Sequence, residues 1–272
     1  MRDIELVVTD LDGTLWHTSD EIHPDVGIAL KEVLRRGMPL LVATGRRVTS
    51  TRVPLATLGV SPSAVVLNGA LGLDLATNVR FHRAPFPAQQ ATEVLEHFRA
   101  CGLDPCIYVD DDAAEVCVGT TPSTNPRHLQ ALGASVVFTD LDCVVRDVAV
   151  LAFSVIGAPH AELAPAYKAL EGVAAAHLDR ALEFPGLAAI TAAPLGLSKW
   201  DGVEAFCRAR GLDATRVLAI GDGPNDVELL VNAAVAVVPE NAHPAALAHA
   251  DEVIPPAREG GWAAVVDLLD GV

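Results

Sequence analysis

Asp10 and Asp12 stand two residues apart at the end of an apolar, β-branched run, Ile4-Glu5-Leu6-Val7-Val8-Thr9, and lead directly into Gly13-Thr14. Acids this close repel each other unless a cation or a proton lies between them, so the pair points to metal binding or acid–base work. The glycine lets the chain turn sharply and brings backbone N–H groups near an anion. Three further clusters mix groups that bind or polarise: Thr44-Gly45-Arg46-Arg47, Ser198-Lys199, and Gly221-Asp222-Gly223-Pro224-Asn225-Asp226.

These clusters need elements to position them. The run before Asp10 is a buried parallel strand by its continuous apolar character. Pro24–Gly37 carries proline near its start, glycine at its end and apolar residues at helical spacing, which predicts a helix. A second strand over Met38–Ala43 ends at Thr44. A helix follows from Val48 to Leu58, disturbed by Pro54, and a third strand over Ala64–Leu67 ends at Asn68-Gly69. The β-α-β-α-β order implies a parallel sheet with right-handed crossovers. From Phe81 the texture changes to hairpins mixed with helices, an α+β pattern that runs to Pro194-Leu195-Gly196. The first pattern then resumes. A helix begins at about Leu197 and carries Lys199, and a strand over Arg216–Ile220 runs straight into Asp222. The fold class is therefore α/β: one core formed by 1–80 and 195–272, with an α+β domain over 81–194 inserted in it.

A doubly wound sheet gathers strand ends along one edge, where ligands bind. That edge would hold several carboxylates, one lysine and one small hydroxyl. The acids outnumber the lysine, and hard oxygen ligands in that excess call for a divalent cation such as Mg²⁺. Phosphoryl transfer fits the set. A carboxylate can attack phosphorus and form an acyl phosphate. A cation, Lys199, Thr44 and backbone N–H groups can neutralise charge on the non-bridging oxygens, while a second carboxylate protonates the leaving alcohol and then activates water.

Asp-Leu-Asp-Gly-Thr at 10–14, Thr-Gly-Arg at 44–46, Lys199, and Gly-Asp-Gly-Pro-Asn-Asp at 221–226 occur in this order along the chain. The set resembles the phosphatases of the haloacid dehalogenase (HAD) superfamily. The size and place of the insertion resemble the class IIB, or Cof-type, branch. The resemblance implies a Rossmann-like core with a class IIB cap, and a Mg²⁺-dependent hydrolase of phosphomonoesters acting through an aspartyl-phosphate. It implies a small phosphorylated metabolite as partner, a sugar phosphate first, with the cap closing over it. Carried over by position, Asp10 is nucleophile and metal ligand. Asp12 is the general acid/base and lends the metal its backbone carbonyl, and Asp222 is the acidic metal ligand. Thr44 with Gly45 and Arg46, Lys199 and Asn225 bind the phosphoryl group, and Asp226 supports the site from outside the ligand set. Two departures stand out: Glu240-Asn241-Ala242 where the family has Gly-Asn-Ala, and Leu229 where a methionine is frequent.

Plainer roles compete at each position. Asp12 and Thr44 are good capping residues. Arg46 and Arg47 either reach the site or pair with core acids, and Asn68-Gly69 is either a turn or a substrate contact. A phosphomutase of the same branch would use the same core chemistry. A non-catalytic HAD scaffold is the other alternative, although it would be expected to have lost one of Asp10, Asp12, Lys199 or Asp222.

The 272 residues are 51% hydrophobic and 20% charged, which suits a globular protein with a substantial core. A formal charge of −16 and a pI near 4.8 disfavour nucleic acid and anionic membranes as partners. No apolar run nears the ~18 residues of a membrane span, and the start shows no signal-peptide pattern. Cys101, Cys106, Cys117, Cys143 and Cys207 are odd in number and include no Cys-x-x-Cys, which suits reduced thiols in the cytoplasm rather than disulfides or a zinc site. His82, His97, His128, His160 and His177 have no metal-ligand spacing, and Asp110-Asp111-Asp112 is expected to be a solvated turn.

Overall fold

The computed structural model describes residues 3–18, 22–111, 114–181 and 183–271. The chain divides into two compact units: the residues up to Arg83 together with those from Ser198 onward, and Ala84–Leu197. Asp112, within the expected acidic turn, lies outside the described residues.

In the first unit, β1 (Leu6–Thr9) is followed by α1 (Pro24–Arg35), β2 (Leu40–Ala43), α2 (Val48–Thr57), β3 (Ser63–Val66), β4 (Leu71–Asp74) and β5 (Arg80–Arg83). Every residue of β1, β2 and β3 is buried, as expected of parallel strands covered on both faces. In α1, Pro24 opens the helix, the His23 ring accepts from Asp25 N, and Val26, Ala29, Leu30 and Val33 form the buried stripe.

The second unit comprises α3 (Ala88–Ala100), β6 (Cys106–Val109), β7 (Val116–Val118), α4 (Pro126–Leu132), β8 (Val136–Phe138), α5 (Leu141–Asp147), β9 (Val150–Ala158), α6 (His160–Ala169), β10 (Ala175–Arg180) and β11 (Ala188–Ala193). Its six strands lie in the order β10-β11-β9-β6-β7-β8. All neighbours are antiparallel except β7 and β8, which pair in parallel. Phe86, Phe98 and Phe153 interlock in its core, with centroids 5.4 and 6.1 Å apart.

The chain then returns to the first unit through α7 (Lys199–Arg210), β12 (Val217–Ile220), α8 (Val227–Asn232), β13 (Val235–Pro239), α9 (Pro244–Leu247), β14 (Glu252–Ile254) and α10 (Val265–Gly271). The first unit's sheet has the order β14-β13-β12-β1-β2-β3-β4-β5. It is parallel from β14 through β3, and β4 and β5 extend it antiparallel. From β1 the chain builds outward through β2 and β3 on one side, and through β12, β13 and β14 on the other. This reversal opens a crevice at the carboxyl ends of β1 and β12, where open α/β sheets bind ligands.

Some elements depart from the sequence expectation. β4 and β5 form a hairpin turned by Asp74, whose Oδ1 accepts from Ala76 N and Thr77 N, so β5 keeps residues 80–83 in the first unit's sheet. α5, which no periodicity or cap pattern in the sequence predicts, starts where Asp140 Oδ1 caps Asp142 N. Past His243 the chain forms only the short α9, and Trp262 lies in a 3-10 turn over Gly261–Ala264 that leads into α10. Among the described residues, no helix is long and apolar enough to cross a membrane.

Candidate active site

The nucleophile candidate sits where β1 ends. Asp10 N donates to Ile220 O of the neighbouring β12, and the Thr9 hydroxyl donates to Asp10 O at 2.7 Å. Trp262, fully buried, donates its indole N–H to that same Thr9 hydroxyl at 2.9 Å. The backbone that presents Asp10 is thus fixed from both ends of the chain.

Lys199 is the first residue of α7. Asp201 caps that helix, its Oδ2 accepting from both Ser198 N and Ser198 Oγ at 2.8 Å. Gly202 brings α7 close to β3, since a Cβ there would fall 2.4 Å from a Val65 methyl. The Lys199 ammonium is 1% exposed and donates to Asp10 Oδ1 at 2.8 Å and to Asp226 Oδ1 at 2.7 Å. Burial would lower its pKa, but the charges of Asp10 and Asp226 outweigh burial and hold it above its ordinary value.

β12 delivers the second acidic loop. Asp226 Oδ2 accepts from Asp222 N and Gly223 N, while its other oxygen takes Lys199, so both of its oxygens are used in building the loop. Asp222 Oδ1 accepts from the Thr14 hydroxyl at 2.8 Å. Gly13, at φ +82°, is required where Asp222 packs against the β1 turn, because a Cβ there would lie 2.2 Å from Asp222 Oδ2. One oxygen each from Asp10, Asp222 and Asp226 falls within 4.8 Å of the others. Burial pushes the Asp10 carboxyl well up, and the charges of Asp226 and Asp222 add to the effect while Lys199 opposes it. Burial, reinforced by Asp226, pushes Asp222 up to about 6. Three acids share one ammonium, and the leftover negative charge with hard oxygen donors fits a divalent cation. Asp10 and Asp222 have oxygens to give it, whereas those of Asp226 are committed to Lys199 and the loop.

Asp12 faces elsewhere. Arg46 Nε donates to its Oδ2 at 2.5 Å and Arg46 Nη2 to its Oδ1 at 2.6 Å. Trp16 Nε1 donates to Oδ1 at 3.1 Å, and the Arg46 guanidinium stacks 5.5 Å from the Trp16 ring centroid. A bidentate guanidinium and an indole hold this carboxylate in one orientation. Of the two readings of Arg46, the structure shows the pairing with an acid, and that acid is Asp12. The Thr44 hydroxyl, buried at the end of β2, accepts from Arg46 N at 3.1 Å. Asn225 Nδ2 donates to Asn68 Oδ1 at 3.0 Å, and Gly45 lies against the same Asn68 amide.

The first unit thus joins Asp10, Lys199, Asp222 and Asp226 directly, with Asp12 and Arg46 as a pair beside them. Thr9, Thr14, Trp16 and Trp262 also contact the site, in contacts that the sequence does not assign. Trp16 stands one helical turn past Asp12, a spacing that could have flagged it, whereas Trp262 lies 253 residues from its partner Thr9.

A carboxylate-bearing strand end between a lysine from a later helix and an acidic loop on the next strand is the arrangement of a HAD-type core. The profile of the haloacid dehalogenase-like hydrolase family matches residues 7–266, and the chain belongs to that family. An HMP-PP phosphatase of Serratia proteamaculans is 28% identical over 242 residues, covering 88% of this chain and 85% of that protein. The pyridoxal phosphate phosphatase YbhA of Escherichia coli is 23% identical over 261 residues, covering 92% of each. Among solved structures, TM0651 from Thermotoga maritima superposes with a TM-score of 0.79 at 18% identity over 97% of both chains. The HAD subclass IIB sugar phosphatase BT4131 superposes with a TM-score of 0.75 at 19% identity, over 98% of this chain and 100% of that one. The fold is theirs, and the protein is an enzyme, a phosphatase of the HAD type.

Proposed function

We propose that the protein is a Mg²⁺-dependent phosphomonoester hydrolase of the cytoplasm that works through an aspartyl-phosphate on Asp10. The observation that carries this reading is the state of the Asp10 carboxylate: one oxygen is held by the buried Lys199 ammonium, and its neighbourhood is otherwise acidic. Lys199 orients the carboxylate and supplies positive charge beside the phosphoryl oxygens. Asp10 and Asp222, with the Asp12 carbonyl, would hold the cation, whose chemistry is to neutralise charge on the substrate phosphate and on the acids around it.

In the first half-reaction a carboxylate oxygen of Asp10 attacks phosphorus, the bond to the ester oxygen breaks, and Asp12 gives that oxygen its proton. In the second, water attacks the same phosphorus, Asp12 takes the water proton, and the bond to Asp10 breaks to free inorganic phosphate. Arg46 and Trp16 orient Asp12 for both proton transfers. The Thr44 hydroxyl has no acceptor among the described residues and can donate to a non-bridging oxygen, beside the Gly45 and Asn225 groups assigned to the same phosphate.

The substrate class is a small phosphorylated metabolite. Sugar phosphates come first. The phosphorylated heterocycles in the names of the Serratia and Escherichia relatives follow.

The test is phosphate release from hexose phosphates, pyridoxal phosphate and phosphoglycolate, with Mg²⁺ or with a chelator, by the wild type and by Asp10→Asn. Release that needs Mg²⁺ and falls by several orders of magnitude in the variant is expected, since the variant lacks the attacking oxygen. Isomerised sugar phosphate without phosphate release would indicate a phosphomutase. No turnover of any kind would indicate a scaffold.

A further inference from the structure

Asn68 lies just past the end of β3, in backbone that L residues avoid. Leu67 has φ +52° and Asn68 has φ +54° with ψ 34°, and of the described non-glycine residues only Asn78 shares a positive φ. A left-handed leucine followed by a second left-handed residue is disfavoured twice, so the surrounding contacts must enforce the pair.

The contacts are specific. Leu67 N donates to Arg46 O at 2.9 Å and Asn68 N donates to Thr44 O at 3.1 Å, so the strained turn grips Thr44-Gly45-Arg46 by its two outer carbonyls. The Asn68 amide packs against Gly45, where a Cβ would sit 3.0 Å from its Oδ1. That Oδ1 also accepts from Asn225 Nδ2 at 3.0 Å, and Asn68 is only 9% exposed.

Sheet order gives this bond its meaning. Asn225 follows β12 and Asn68 follows β3, and in the sheet β1 and β2 lie between those two strands. Three strand spacings are about 14 Å. The two loops must therefore arch toward each other past the carboxyl ends of β1 and β2, which is where Asp10 is presented. We infer that Asn68 is a positioning residue whose amide ties the Thr44–Arg46 loop to the Asp222–Asp226 loop over the end of β1, fixing the width of the phosphoryl-binding pocket. The inference rests on the proposed phosphoryl-transfer role of this edge.

The test separates backbone from side chain. Asn68→Gly keeps the left-handed turn, which glycine adopts freely, and removes only the amide; Asn68→Ala removes the amide and keeps the strain. Both variants are expected to lose about 10- to 100-fold in kcat, the scale of an ångström misplacement. Asn68→Gly should melt above Asn68→Ala, which keeps the left-handed strain as well as losing the amide. Orthovanadate, a mimic of pentavalent phosphorus, should bind Asn68→Gly more weakly than wild type. Asn225→Ala removes the same bond together with the phosphate contact assigned to Asn225 and should lose at least as much, and adding Asn68→Gly to it should cost little more, because the bond is already gone. Hydrogen exchange tests the tether with no substrate present: amides of residues 44–46 and 222–226 should exchange about tenfold faster in Asn68→Gly, with the rest of the chain unchanged.

Unchanged exchange, wild-type kcat and vanadate affinity in Asn68→Gly, or losses that multiply in the double variant, would overturn the inference. If the wild type turns over none of the phosphate esters while exchange in Asn68→Gly still accelerates as described, the tether stands and the hydrolase reading fails.

Discussion

Arg46 shows how one side chain can fix the orientation of a carboxylate. Its guanidinium spends two N–H groups on Asp12 and a third, through Nη1, on Ser50 O at 3.1 Å, with its flat face on Trp16. A lysine could supply the charge but neither the fork nor the stacking surface. If Arg46 acts by orienting Asp12, Arg46→Lys should lower kcat by about 10- to 100-fold with little change in KM, because the lost interaction matters to proton transfer and not to ground-state binding. If its task were to hold the substrate phosphate, KM would rise instead. Steady-state kinetics on a single good substrate distinguishes the two. The motif Thr-Gly-Arg was visible in the sequence, but its partner was not: the sequence placed Arg46 near the acids without saying which oxygen it meets.

The elements differ in how far they could be read in advance, and the reason lies in what specifies them. β1, β2, β3 and β12 are short, predominantly apolar runs that stop at a polar cluster. Both the strand and the functional residue after it are written locally, so the gathering of Asp10, Lys199 and Asp222 at one edge followed from topology. β4, β5 and α5 carry no such local signature. Arg80-Phe81-His82-Arg83 is a strand because β4 is beside it, and Leu141–Asp147 is helical because Asp140 caps it and Leu141, Val144 and Val145 find a core. The Trp262 contact lies at the far extreme, since no periodicity links it to Thr9. It ties the 3-10 turn before α10 to the strand that presents Asp10. Trp262→Phe keeps an aromatic ring in the core but removes the indole donor and leaves a gap where the larger ring stood. It should destabilise the fold by about 1–3 kcal/mol, read as a lower urea midpoint at constant m-value. A fall in kcat larger than the fall in stability would show that the Thr9–Asp10 backbone also shifts.

At the scale of the whole molecule, acidity is a liability that a cation can relieve. A formal charge of −16 opposes compaction everywhere, and the active site concentrates the same problem in a buried volume. Asp10 and Asp222 have folded-state pKa values raised above the ordinary carboxylate range, Asp222 to about 6. A raised carboxylate means that the folded state binds its proton more tightly than the unfolded chain does. Its stabilising contribution is therefore complete below the ordinary carboxylate pKa and is lost as pH rises through the folded value. Without metal, the melting temperature should climb as pH falls from about 7.5 to about 5. Further down it should fall again, as acids with lowered pKa values such as Asp74, Asp140 and Asp213 lose their hydrogen-bonded charge. Mg²⁺ should raise the melting temperature at pH 7.5 and do so less at pH 5, because the ion must then displace protons from the same oxygens. The overall charge of the molecule would also make acid stabilising, so the site's own share has to be isolated. Asp222→Asn does this: at pH 7.5 without metal it should melt above the wild type, its pH dependence between 5 and 7.5 should flatten, and the Mg²⁺ increment should shrink. An Asp222→Asn protein that keeps the full pH slope would assign that slope to the surface. One that keeps the full Mg²⁺ increment would move the cation away from the Asp10–Asp222 pair. Melting curves of the two proteins at two pH values, each with Mg²⁺ and with chelator, give both answers.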